Sequence, residues 1–334
     1  MLVIDGDEER VVLTWSGGAT VAQLEQLFQD GEMAFQGDVA DPVEAAVARA
    51  DRLNGERRFV EAASAYEQVL HIWPEGRAGR ARVVESLVTV LEAAGELEQC
   101  ARTALREAES LPPGASFANT AGLGLYCALS GPEDAAWVGE VVPGLESLLQ
   151  RSLNMDGVLA DERSSHYYLL TEVRERAGDT EGERALAGAW VAFLESEAAR
   201  APTPEARTAF DSHLLTACIR LGDPARAIPA LERSERDLPE DYNPPARLAV
   251  AFRELGRYEE ALAAVNRALD RVYGPRKLRV YLSKAQILED MDRPEEAVQT
   301  LEEAIAFARS LPDPQRSETT MARLRSELER LSAP

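Results

Sequence analysis

Cysteine and histidine are scarce in this sequence, and their positions exclude the common metal and redox motifs. Its three cysteines, Cys100, Cys127 and Cys218, stand far apart, so no Cys-x-x-Cys pair is available for a zinc ribbon or a dithiol redox site. The three histidines do not have the spacing with which two histidines of one helix bind a metal. We therefore expect no metal and no cofactor. We also expect all three cysteines to be unbonded core residues of a protein in the reducing cytoplasm.

Long hydrophobic runs and basic blocks are also missing. The longest apolar run, residues 185–194, is about half of the roughly 18 residues that a membrane span needs. Residues 1–7 lack the basic region and the apolar stretch of a signal peptide. The chain has 36 basic and 58 acidic side chains, a net charge of −22, which repels phosphate groups. We therefore expect a cytoplasmic protein that binds neither membrane nor nucleic acid.

The motifs of the common enzyme classes are not present either. Gly122-x-Gly124 begins like a dinucleotide-binding fingerprint, but Cys127 stands where the third glycine belongs and no strand precedes it. The sequence contains no Gly-x-Ser-x-Gly, no phosphate-binding loop and no His-Glu-x-x-His. These absences predict a protein that is not an enzyme.

What the sequence does contain is a repeat. From about residue 43, apolar residues recur every three or four positions, as in amphipathic helices. Gly222 and Gly256 are 34 residues apart, and in the next unit Asp292 takes the place of the glycine. A small residue, Ala227 or Ala261, follows each glycine by five positions. Glycine ends a helix in a left-handed conformation, and a small side chain lets two helices approach closely. The pattern predicts paired helices of near-constant length.

This pattern resembles the tetratricopeptide repeat family, with a glycine at the turn, a small residue in the second helix and a proline near its end. The resemblance implies an all-α fold over residues 43–334, a right-handed superhelical solenoid of about seven helical hairpins. An amphipathic segment with Met321, Leu324, Leu328 and Leu331 on one face predicts a C-terminal capping helix. The expected hairpins span residues 43–76, 81–114, 117–153, 161–200, 208–241, 242–275 and 278–311, and the capping helix spans 315–331.

The N-terminal segment differs from the repeats. Two apolar runs, residues 2–5 and 11–15, flank a turn and predict a β-hairpin, which a helix through Phe28 follows. Strand, turn, strand and helix in this order resemble the C-terminal third of the thioredoxin fold. Two interpretations stay open for residues 1–36. In one, these residues are a remnant of a thioredoxin-like domain. In the other, they simply cap the first helical hairpin.

The resemblance also implies a function. In tetratricopeptide arrays the first helices of successive hairpins line a concave groove that holds a peptide. We therefore expect a non-catalytic scaffold for a protein or peptide partner, whose acidic groups the arginines of the groove would bind. The alternative is the client-binding part of a thioredoxin-like thiol–disulfide oxidoreductase whose Cys-x-x-Cys half is not in this sequence. The groove candidates are His213, Thr216, Arg220, Asn243, Arg247, Arg253, Arg279, Ser283 and Gln286.

Overall fold

The computed structural model describes residues 2–6, 10–14, 21, 24–25, 28–29, 31–32 and 41–332. Within these residues the chain forms two compact units, residues 1–180 and 181–334. The prediction of an all-α fold that follows a short β-hairpin is confirmed. Part of the helix predicted after the hairpin, and the boundary at residue 36, lie outside the described residues.

The N-terminal hairpin consists of β1 (Leu2–Asp5) and β2 (Arg10–Thr14), which pair antiparallel with Val3 opposite Leu13. The described residues between 21 and 32 are helical. Gly31 of this helical segment lies against Val3, where a Cβ would come within 2.9 Å of the valine side chain. The β2 strand contacts the first helix of the repeats, α1 (Pro42–Gly55). The hairpin therefore has two packing partners, which a two-stranded ribbon needs to be stable in water.

Helices in hairpin order fill the rest of the first unit. After α1 they are α2 (Phe59–Ile72), α3 (Arg80–Ala93), α4 (Leu97–Ala108), α5 (Ala115–Ser130), α6 (Ala136–Ser152) and α7 (Ala160–Arg176). Each helix packs against its neighbour in the chain from α1 to α7.

The second unit continues with α8 (Thr180–Arg200), whose first residue still belongs to the first unit. The next helix, α9 (Pro204–Thr208), is a single turn that the sequence pattern did not predict. It is followed by α10 (Asp211–Leu221), α11 (Ile228–Asp237), α12 (Asn243–Glu254), α13 (Tyr258–Arg271), α14 (Lys277–Asp290), α15 (Pro294–Ser310) and α16 (Glu318–Ser332). The last helix buries Met321 and Leu324 in the core that α14 and α15 form. Its apolar face thus covers the end of the second unit.

The turns of three hairpins have the same backbone. Gly222, Gly256 and Asp292 all adopt left-handed conformations, with φ of 81°, 68° and 57°. After each of them, the next N–H donates to a carbonyl five residues earlier, in every case over 2.9 Å. This pattern caps the carbonyl groups that the end of the first helix leaves unpaired.

The small residue of the repeat is buried wherever it occurs. Ala62, Cys100, Ala227, Ala261 and Ala297 are all 0% exposed. A larger side chain at such a position has to push the packed helices apart.

The expectation of three unbonded cysteines is wrong for two of them. Cys100 of α4 and Cys127 of α5 form a disulfide, with their Cα atoms 6.2 Å apart. They are 27 residues apart in the sequence but meet because α4 and α5 belong to consecutive, packed hairpins. Cys218 is a free, buried thiol, and burial raises its pKa to about 12. The cysteines therefore give no argument for a reducing compartment.

Two further features concern the described residues alone. None of their helices combines the length and the apolar character that crossing a lipid bilayer requires. They also contain no group of three or more histidine, cysteine, aspartate or glutamate side chains that could hold a metal ion.

We expect Ala261→Leu to destabilise the protein by about 1–3 kcal/mol, because the added atoms overpack the contact between the helices of one hairpin. Urea unfolding would measure the change. Ala263→Leu, at an exposed position of the same helix, is the matched control and should change the free energy of unfolding by less than about 0.5 kcal/mol. Equal losses in both variants would contradict the assigned register.

Candidate functional site

The nine residues predicted from the sequence lie on α10, α12 and α14, the first helices of the three hairpins in the second unit. We call the surface that these nine residues form the first-helix face. Arg253 on α12 reaches Gln286 on α14, with 3.5 Å between Nη1 and Oε1. Arg247 on α12 lies near Asp211 on α10, with 3.9 Å between Nη1 and Oδ2. The structure thus brings the candidates together in neighbouring pairs and not in one cluster.

On α10 the three candidates contact groups of the protein itself. The ring of His213 lies edge-on to the ring of Trp190, with the centroids 6.4 Å apart. Thr216 donates to the carbonyl of Ser212, one turn earlier, over 3.0 Å. Arg220 donates from Nη1 to Glu183 Oε1 over 3.0 Å. These contacts hold the α10 side chains in place within the unit.

On α12 the three candidates contact aspartate side chains at different distances. Asn243 donates from Nδ2 to Asp241 Oδ1 over 2.8 Å, in the turn before the helix. Arg253 forms an ion pair with Asp290. The contact of Arg247 with Asp211 is too long for a hydrogen bond, so this guanidinium is held less firmly than that of Arg253.

On α14, Arg279 differs from the other arginines of the set. Its side chain is exposed, and among the described residues it forms no ion pair. Ser283 and Gln286 follow it at spacings of four and seven residues, which places all three on one side of the helix. The side of α14 that carries Arg279 therefore offers hydrogen-bond donors to solvent.

The sequence around α14 also has an uneven distribution of charge. Residues 271–288 contain five basic and no acidic side chains, in a chain of net charge −22. Lys277 at the start of α14 lies over the rings of Tyr281 and Phe307, with its Nζ 5.8 and 5.5 Å from their centroids. Arg276 is exposed. The first half of α14 is thus a basic region, which a scan of charge along the sequence would have located.

Behind the first-helix face lies a buried carboxyl group. Asp211 is 3% exposed, and its Oδ2 atom has no hydrogen-bond partner among the described residues. Burial raises the pKa of Asp211 to about 6, although Ser234 and the guanidinium groups of Arg247 and Arg207 act in the opposite direction. Its charged form is disfavoured because few groups replace the water that it loses on folding.

The comparisons with known proteins agree with the repeat pattern. The sequence model of the tetratricopeptide repeat matches residues 242–310, from α12 to α15.

Residues 242–310 are therefore similar to tetratricopeptide repeats.

No curated protein matches the sequence. Among solved structures, a tetratricopeptide repeat protein from Parabacteroides merdae is 9% identical and covers 87% of this chain and 99% of its own, with a TM-score of 0.45. Yeast Tom70 is 12% identical, covers 93% and 74%, and has a TM-score of 0.41. The TPR2AB domain of yeast Sti1, solved in complex with pHSP90, is 16% identical, covers 91% of this chain and 100% of its own, and has a TM-score of 0.34. At such values these likenesses say nothing of function, so the functional argument depends on the residues of this chain.

The raised pKa of Asp211 has a defined consequence for stability. The pKa of this carboxyl is 3.8 in the unfolded chain, so it is protonated in both the folded and the unfolded state only below about pH 3. As the pH rises from about 3 to 6, the unfolded chain ionises first, so the folded state loses stability, and this loss persists at pH 7.5. We therefore compare the free energy of unfolding of Asp211→Asn with that of the wild type. We expect this difference to shift in favour of the variant by about 1–3 kcal/mol between pH 4.5 and pH 7.5.

Urea unfolding at the two pH values would measure this difference. Asp270→Asn, which changes an exposed carboxyl on α13, is the control and should show a much smaller pH-dependent gain. The same pH dependence in both variants would contradict the assignment to Asp211.

Proposed function

We propose that the protein is a non-catalytic scaffold that binds a protein or peptide partner on the first-helix face of its second unit. The partner presents carboxylate groups, and its main contact is Arg279. This proposal is supported by the tetratricopeptide repeats at residues 242–310 and by the chemistry of α14.

The observation that carries the proposal is the state of Arg279. Arg220 and Arg253 are occupied by Glu183 and Asp290, so using them for a ligand would first break an ion pair. Arg279 is exposed without an ion pair among the described residues, and it lies in a stretch of 18 residues that has no acidic side chain. Its guanidinium is available at no such cost.

The chemistry of an arginine without a carboxylate partner points to the ligand class. A guanidinium binds a carboxylate through two parallel hydrogen bonds, which fixes both position and direction. Ser283 and Gln286, on the same side of α14, supply donors and acceptors for the backbone of a bound peptide. Arg247 lies one helix away, where its long contact with Asp211 leaves hydrogen-bonding capacity for a second carboxylate.

Fluorescence anisotropy with a fluorescein-labelled hexaglutamate peptide tests the proposal. We expect saturable binding by the wild type and no binding of the matched hexaglutamine peptide. Arg279→Glu should weaken the binding roughly tenfold or more, because a bidentate charged contact is lost and a repulsive charge is added.

The control is Arg309→Glu, which makes the same charge change at an exposed position in the last turn of α15, the second helix of the same hairpin. We expect its dissociation constant for the peptide to stay within about twofold of that of the wild type, because an exposed charge outside the binding site contributes little. Equal losses of affinity in the two variants would mean that net charge alone governs binding, which contradicts a specific role of Arg279. An absence of binding by the wild type would overturn the proposal.

A further inference from the structure

The Cys100–Cys127 disulfide joins two consecutive hairpins of the first unit. It links α4, the second helix of one hairpin, to α5, the first helix of the next. Both cysteines are 0% exposed. A dissolved thiol therefore has no access to either sulfur atom while the two helices stay packed.

The packing around the disulfide leaves no space for a reagent. A Cβ on Gly124 of α5 would overlap the Cβ of Ala104 of α4. A Cβ on Gly144 of α6 would come within 2.7 Å of Leu105 Cδ1 of α4. Because α4 is in such close contact with α5 and α6, the disulfide becomes accessible only when these helices separate.

The same helix α5 is also held from its other side. Asn119 donates from Nδ2 to Glu85 Oε1 of α3 over 2.9 Å and lies 3.3 Å from Glu162 Oε1 of α7. The disulfide fixes α5 to α4, while Asn119 fixes it to α3 and α7. A movement of α5 would therefore change its contacts with α3 and α7, the first helices of the two neighbouring hairpins.

We propose that Cys100 and Cys127 form a redox-controlled lock on the first unit. When the bond is formed, α4 and α5 stay packed and the contacts of Asn119 persist. When it is reduced, the junction between the two hairpins opens more often. Cys218 lies in the second unit as a free, buried thiol and takes no part.

The exchange requires a small disulfide, such as oxidised glutathione, as the oxidant. The thiolate of one cysteine attacks this disulfide and releases one glutathione thiolate. The thiolate of the second cysteine then attacks the mixed disulfide and releases the other glutathione. Two protein thiols lose two electrons and two protons, one protein disulfide forms, and one molecule of oxidised glutathione becomes two of the thiol. Reduction by a dithiol runs through the same mixed disulfide in reverse.

The direction of the effect on stability follows from chain entropy. The bond joins residues that are 27 positions apart, and so it restricts the unfolded chain more than the folded one. We expect the oxidised protein to melt roughly 5–10 °C above the same protein after complete reduction.

The experiment uses the full chain, equilibrated with oxidised glutathione or with a phosphine reductant. Intact mass after maleimide labelling in denaturant should show one labelled thiol in the oxidised sample, at Cys218, and three in the reduced sample.

Hydrogen exchange should then be at least about tenfold faster in α4 and α5 of the reduced protein, with α12 to α14 unchanged. Reduction of the oxidised protein by dithiothreitol should be much slower in native buffer than in urea.

Two variants serve as controls. Cys100→Ala with Cys127→Ala removes the bond, and its melting temperature should not depend on the redox buffer. Cys218→Ala should keep the full redox-dependent shift. Three labelled thiols after oxidation, or equal melting temperatures and equal exchange in the oxidised and reduced wild type, would overturn the proposal, and neither result depends on the variants being folded.

Discussion

Two helices of a hairpin pack closely only where one of them carries a small side chain at the point of contact, and the rest of this structure depends on that condition. Ala62, Cys100, Ala227, Ala261 and Ala297 meet it, each fully buried. In the hairpins that turn at Gly222, Gly256 and Asp292 the turn residue is left-handed in the same way, and stacking lets one hairpin cover the apolar side of the next. The same local requirement is therefore met in five of the hairpins.

The features that were predictable from the sequence are those that repeat. The spacing of Gly222 and Gly256 and the small residue five positions later predict hairpins, because the backbone needs the same geometry each time. The Cys100–Cys127 disulfide was not predictable, since pairing depends on which helices touch across consecutive hairpins. The short α9 helix was missed because one turn carries no periodic signal.

The candidate site shows the same limit. The sequence placed nine polar residues on the first helices, but it could not show which arginines already have a carboxylate partner. That depends on side chains about 37 positions away, such as Glu183 for Arg220 and Asp290 for Arg253. The burial of Asp211 is likewise a product of packing around its helix. The charge pattern of residues 271–288, by contrast, is visible in the sequence alone.

Among the described residues with a positive φ, two are not glycine. Arg57 and Asp292 adopt φ of 59° and 57° at the position where other hairpins have Gly222 or Gly256. An L-amino acid tolerates this conformation at a modest energetic cost, which the packed helices on either side absorb. A search that identifies such hairpins by the glycine at the turn will therefore miss some of them. The buried small residue of the second helix is the better signal for finding relatives of this chain.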